Sequence, residues 1–282
     1  MKWNKIIGWL FLVLAVGLFC LQIGYLLVSS QFQVEYIDNR LFYIVNILCI
    51  ISFLAAVLFL FGMSKKGTII SASIVLVFVI VQATLLYNSN GKIKNITSIS
   101  PDYKHVLGLK ENIPRGETVY YRSYYGILAR PKEALPFRAT GEFKVQWLAK
   151  DVAAVTYKTT DGLIQQFIAT YGNRGGASYY NVGPEIQGIW EGEGVTVDSD
   201  TEGIAVTVKG QSEQFTWDHV YQYGTLAIVL KRDQEAVWTI ALGENIKIHS
   251  HSAIPIGGNI LLYKATMDDN DAITLEYKGR YD

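Results

Sequence analysis

Three stretches free of Asp, Glu, Lys, Arg and His, residues 6–28, 41–63 and 68–87, constrain this chain more than any other feature. A hydrocarbon core about 30 Å thick is crossed by about 20 apolar residues in a helix, and each stretch reaches that length. The 282 residues carry 25 basic and 25 acidic side chains, so three such gaps rule out a purely water-soluble protein. Lys2 and Lys5 give the first stretch a basic leader such as a signal peptide has. Its apolar run exceeds the usual ~7–15 residues, lacks a small-x-small cleavage site and is followed by two more spans, so it reads as a retained helix. Bulky Phe19 before Cys20 argues against a lipid-modified cysteine.

Basic residues in short loops set orientation. Lys2 and Lys5 precede the first span and Lys65 and Lys66 lie between the second and third, whereas loop 29–40 has Arg40 against Glu35 and Asp38. This predicts a cytoplasmic N-terminus and an extracytoplasmic C-terminal part in a bacterial cytoplasmic membrane; Lys92, Lys94 and Lys104 pull the other way. Each span holds one amide, Gln22, Asn46 and Gln82. With alternating directions all three lie at one depth, roughly 8–9 Å inside the outer boundary at 1.5 Å per residue. They can form one hydrogen-bonded cluster of about 0.6–2 kcal/mol per bond, or each can bond its own backbone or snorkel outward. Gly17 and Gly24 offer a close-approach face. With no ionisable group inside a span, transport by this chain alone is not expected.

The chain therefore divides into a three-helix anchor (1–87), a juxtamembrane linker and start of the β domain (88–116) and an extracytoplasmic β-rich domain (117–282). Beyond residue 116, short runs rich in Val, Ile, Tyr, Trp and Thr alternate with Gly, Asp and Asn turns at roughly 8–12-residue spacing, as in an all-β domain. Residues 159–162, 231–234 and 268–271 read as hairpin turns. Both cysteines, Cys20 and Cys49, fall in the spans, so the exported part relies on packing without a disulfide. After residue 87 there are 20 basic and 23 acidic residues without a Lys/Arg run, which argues against nucleic acid as a partner.

Ser100-Pro101-Asp102-Tyr103-Lys104 resembles the S-P-D-x-K motif of TolB-type β-propeller blades, and 145–157, followed by a Thr-Asp-Gly turn and 163–171, is similar to a next blade. The layout also resembles that of uncharacterised bacterial membrane proteins with a three-helix anchor. The likeness spans about a quarter of the chain and implies propeller-like blades. The fold class expected is membrane α plus all-β, with the β domain an irregular sandwich or a partial propeller.

Catalytic constellations are sparse. His249 and His251 share one face of a strand, a spacing metals use, but no partner acid is fixed by sequence. Residues 198–203 imitate the opening of a calcium loop and fail at the twelfth position, Lys209, where an acid is required. Glu191 and Glu193 could pair as in glycosidases. Gly172, Gly175 and Gly176 do not lie between a strand and a helix, as a phosphate loop requires. The remaining enrichment is tyrosine: Tyr120, Tyr121, Tyr124, Tyr125, Tyr179 and Tyr180, with Tyr221 and Tyr223, occur in close pairs, so one of each adjacent pair should face outward in a regular strand. With Arg122 or Arg174 nearby, such rings suit sugars or peptides. No cofactor, metal or catalytic residue is expected. The reading is a non-catalytic extracytoplasmic domain that binds a ligand or partner, with the lipid bilayer, another membrane protein, an extracellular peptide or a glycan as partners. Its alternatives are a membrane-tethered hydrolase of envelope polymers and an accessory subunit of a larger complex.

Overall fold

The computed structural model describes residues 2–124, 126–172, 174, 181–246 and 257–279. The charge-free stretches form α1 (Lys2–Phe32), α2 (Arg40–Phe61) and α3 (Lys65–Asn90), three helices long and apolar enough to cross a membrane. They run past the limits of the apolar windows because flanking polar residues continue the same backbone ladder. Between α2 and α3 the chain turns on Gly62, at φ 56°, and Ser64, whose hydroxyl accepts from the Gly67 N–H. The helices turn large apolar side chains such as Trp9, Leu10, Val13, Ile70 and Val77 outward, and bury small or polar ones: Ala15, Gln22, Ser52, Ala56 and Gln82. That is the inverse of a water-soluble bundle and the pattern of helices packed in lipid. α1 and α3 both pack along α2. A Cβ on Gly8 would stand 2.7 Å from Leu60 Cγ, whereas Gly17 and Gly24 face open space. The close approach of α1 and α2 is therefore at Gly8, one end of the bundle, and not at the pair the sequence suggested.

The chain forms two compact units, residues 1–97 with 108–134, and 98–107 with 135–282. The first is more than an anchor. The loop between α1 and α2 contributes β1 (Glu35–Tyr36), which pairs antiparallel with β5 (Leu128–Ala134). With β2 (Ile93–Ile99), β3 (Val106–Asn112) and β4 (Glu117–Tyr124) they make a five-stranded sheet in the order β1-β5-β4-β3-β2. The stretch 88–116, expected to hold a linker and the start of the β domain, is the end of a helix and two strands. Within this sheet β3 and β5 are hard to read, because β3 buries Gly108, Lys110 and Glu111 among its leucines and β5 carries Pro131 and three charges. Such residues mask a period-2 pattern. Gly108 has a steric reason: a Cβ there would meet Ile37 Cγ1 at 2.5 Å.

In the second unit, β6 (Ala139–Ala149), β7 (Val152–Thr159) and β8 (Ile164–Thr170) form a three-stranded antiparallel sheet. After the short α4 (Val182–Glu185) come β9 (Gly188–Gly192), β10 (Val195–Ser199), β11 (Gly203–Val208), β12 (Gln211–Thr216), β13 (Val220–Tyr223), β14 (Ala227–Arg232), β15 (Glu235–Leu242), β16 (Asn259–Lys264) and β17 (Ile273–Gly279). They form one sheet in the order β12-β11-β10-β9-β17-β16-β15-β14-β13. The sheets curl, as a half-barrel and a nearly closed barrel. The nine-stranded one comes nearest closure, since its two edge strands are consecutive in the chain and joined by a single 3-10 turn, Trp217–His219. Arg232 of β14 reaches Glu213 of β12 at 3.0 Å and lies over the Phe215 ring. The core includes Trp190, Phe215, Leu230, Ile240, Leu262, Tyr263 and Leu275; β10 contributes by alternation, with Val195, Val197 and Ser199 buried, whereas β14 and β15 are covered on both faces.

Three expected hairpin turns lie where predicted, between β7 and β8, β14 and β15, and β16 and β17. The arrangement of strands differs from both the sandwich and the propeller expected. The S-P-D-x-K segment is a polar turn between β2 and β3, in which Ser100 and Asp102 side chains bond each other and accept the N–H groups of His105 and Lys104. Residues 145–157 belong to the separate three-stranded sheet. The motif is a good turn, and turns are shared by many β architectures.

Candidate functional site

Two features of the first unit concentrate polar groups in an apolar setting. The amides come first. Gln22 Nε2 donates to Asn46 Oδ1 at 2.8 Å and to the Phe42 carbonyl at 3.1 Å, and Asn46 Nδ2 donates to Gln82 Oε1 at 3.4 Å. Tyr36, from the loop strand, donates its hydroxyl to Gln22 Oε1 at 2.7 Å. The structure therefore brings Gln22, Asn46 and Gln82 together and adds Tyr36. All three helices and β1 meet in one chain of hydrogen bonds, and the amides are engaged within the protein.

Beyond that level lies a charged layer. Lys110, fully buried on β3, donates to Glu35 Oε2 at 2.6 Å and sits 4.3 Å from the centre of the Tyr121 ring. Burial pushes the Lys110 ammonium below its usual pKa, against the pull of Glu35 and Asp38. Burial together with the Glu35 charge pushes the Tyr121 phenol up to about 12. Asp38 accepts the backbone and guanidinium N–H groups of Arg40 at 2.9 Å each; desolvation works upward on its carboxyl, and the bonds and charge of Arg40 outweigh it and hold it below the ordinary value. On the opposite face of β3, Glu111 is buried with Oε2 unpartnered, and burial raises its pKa.

Two cavities open onto these groups. One, of about 420 Å³, is an almost wholly apolar groove between the helices, lined by Ala15, Val16, Phe19, Cys49, Ile50, Phe53 and Phe78, with Gln22 and Asn46 at one end. The other, of about 330 Å³, is polar and aromatic, with Tyr25, Tyr36, Phe42, Tyr43 and Glu35 in its wall beside Ser29, Asn39 and Ser89. Tyr25 and Tyr36 lie against each other with ring centres 4.2 Å apart and planes tilted by 32°.

Of the tyrosines expected to face outward, Tyr124 and Tyr221 are exposed and Tyr223 is half-buried, whereas Tyr120 and Tyr121 are both buried. The register shifts between them, Tyr120 opposite Glu133 and Tyr121 opposite Pro131, so the simple alternation assumed for adjacent residues fails there. Tyr125, Tyr179 and Tyr180 lie outside the described residues, as do His249, His251, Gly175 and Gly176. Arg174 is not a surface ligand group: its guanidinium pairs with both oxygens of Asp151, at 2.8 and 2.6 Å, and donates to the Leu242 and Gly243 carbonyls.

Glu191 and Glu193 sit at the β9–β10 turn, whereas Asp218 follows β12 at the opposite end of the same strands. In the 198–203 turn, Asp200 Oδ1 accepts the N–H groups of Glu202 and Gly203 and closes the β10–β11 hairpin. Among the described residues no group of three His, Cys, Asp or Glu side chains is placed to hold a metal ion. Sequence reasoning missed Glu35, Tyr36 and Lys110. The one signal available was a lysine and a glutamate side by side in an otherwise apolar strand, 106–112. No protein-family model, curated protein or solved structure matches the chain.

Proposed function

We propose that this is an integral membrane protein of a bacterial cytoplasmic membrane, with its N-terminus in the cytoplasm and its β-rich part outside, which binds a ligand or partner without catalysing a reaction. The observation that carries the binding reading is the cavity walled by Tyr25, Tyr36, Phe42, Tyr43 and Glu35 at the ends of α1 and α3 and the start of α2. Ligand pockets combine aromatic walls with a few fixed polar groups, and this one is held by strand pairing between β1 and β5. The outward apolar side chains of the helices support insertion, and the four lysines Lys2, Lys5, Lys65 and Lys66 at one end of the bundle support the orientation. Asp218, an acid a hydrolase could draw on, lies at the opposite end of the strands from Glu191 and Glu193, which gives the hydrolase alternative no support. The internal pairing of the three amides speaks against their use as a docking level for another subunit.

The test is a pair of fusions after Asp282, one to a reporter active only outside the cytoplasm and one to a reporter active only inside. Activity of the first alone is expected; activity of the second alone overturns the orientation. Release of the chain from membranes by alkaline carbonate overturns insertion itself.

A further inference from the structure

The two cavities of the first unit are separate and lie one beyond the other along a seam of the same three helices, with Gln22 and Asn46 at the near end of the groove. An α-helix turns about 100° per residue, so residues three, four, seven or eleven apart share a face. On α1 the groove uses Ala15, Phe19 and Gln22 and the aromatic cavity uses Tyr25, Leu26 and Ser29. On α2 they are Asn46, Cys49, Ile50 and Phe53 for the groove and Phe42 and Tyr43 for the cavity. On α3 they are Phe78 and Ser89, eleven residues and about 20° apart. All three helices thus offer one face to both. From Ala15 to Ser29 the seam runs about 21 Å at 1.5 Å per residue, somewhat more than half of a 30 Å hydrocarbon core. It is the length of one lipid in one leaflet.

We infer that this seam is a binding site for a single membrane lipid with an ammonium headgroup, its hydrocarbon chain in the groove and its headgroup in the aromatic cavity. The inference rests on the membrane reading above. A helix fits the groove poorly: two turns about 10 Å across occupy roughly 800 Å³, nearly twice its volume. A flexible hydrocarbon chain fits, because the lining is apolar apart from the amides, and those are bonded to one another. At the other end the one ionised side chain in the wall is Glu35, and none of the lining residues is cationic. Lys110 bonds Glu35 from the buried side, balances its charge and does not line the cavity. The ring faces of Tyr25, Tyr36, Phe42 and Tyr43 are what attract an alkylammonium group. Ser29, Asn39 and Ser89 supply neutral donors for a phosphate ester, and the absence of a cation in the wall disfavours lipids whose headgroup is only anionic.

The experiment uses the full chain in detergent micelles doped with equimolar phosphatidylethanolamine and phosphatidylglycerol of identical acyl chains, and counts retained lipid by native mass spectrometry. One phosphatidylethanolamine per chain is expected, about three- to tenfold over phosphatidylglycerol, the range of a partly desolvated cation–aromatic contact. Tyr43→Ala should abolish the headgroup preference, and Val16→Trp, which fills the groove from a half-exposed position, should reduce retention of both lipids. Equal retention of the two lipids by the natural sequence overturns the inference, as does a preference that survives both substitutions. Glu35→Gln is not the primary variant because it also strips Lys110 of its partner. Failure of the carbonate test marks failure of the membrane reading; a carbonate-resistant chain without lipid preference marks failure of this site alone.

Discussion

A lysine inside a strand is informative because of what it needs. Lys110 is 5% exposed, and its one carboxylate within reach is Glu35, itself 43% exposed. Removing one partner of such a pair strands a charge in a poorly solvated place, whereas removing both does not. Glu35→Gln is therefore expected to lower stability in detergent by about 2–4 kcal/mol, and Lys110→Met in the same chain to recover most of it. Thermal unfolding of the two single variants and the double variant gives the coupling directly. Additive losses in the double variant would show that the ammonium does not depend on Glu35. Neither residue stood out in the sequence, where Glu35 registered as a loop charge and Lys110 as one lysine among many. Their importance comes from β1 reaching β5, a contact between positions about 95 residues apart, and no local pattern encodes that.

At the level of elements, the helices were legible and their polar crosslink nearly so. The charge-free windows gave the three spans, and depth arithmetic put Gln22, Asn46 and Gln82 at one level because a straight helix has a fixed rise. That arithmetic could not supply Tyr36, which arrives from a loop. Asn46 is the middle link, accepting from Gln22 and donating to Gln82. Asn46→Leu should cost about 1–3 kcal/mol, the sum of two interhelical bonds in an apolar medium, with α3 loosened more than α1, since Gln22 keeps its bonds to Phe42 and Tyr36. Disulfide trapping between cysteines placed on α2 and α3 near that level should become less efficient, while α1–α2 trapping changes little; the reverse order would contradict the assignment. Strands with clean alternation, such as β10 and β17, were readable on the same physical ground. Those covered on both faces or interrupted by proline, β3 and β5, were not.

For the whole molecule, the β-rich character and three turn positions were readable but strand order was not, because antiparallel sandwiches, propellers and curled barrels share hairpins and differ in which distant edges meet. The pairing that decides it is β9 with β17, residues 188–192 against 273–279, with a register shift between Tyr277 and Gly279. Gly188 permits it: a Cβ there would stand 2.5 Å from the Gly279 carbonyl. Among the described residues the core cluster is drawn from residues 148–275, without a side chain of α1, α2 or α3. A fragment of residues 135–282, made without the anchor, should therefore be soluble, give an all-β circular dichroism spectrum and unfold cooperatively. It should nevertheless miss the 98–107 segment, which in the full chain bonds Trp147 Nε1 through Ser98 Oγ at 2.9 Å, stacks His105 on Tyr171 and accepts the Tyr171 hydroxyl at the Val106 carbonyl. Trp147→Phe should then cost the full chain about 0.5–1.5 kcal/mol more than it costs the fragment, the worth of one hydrogen bond. A fragment that aggregates or stays unfolded at every temperature would mean that the barrel depends on the first unit for its fold, and an equal cost in both contexts would mean that Ser98 contributes nothing to Trp147.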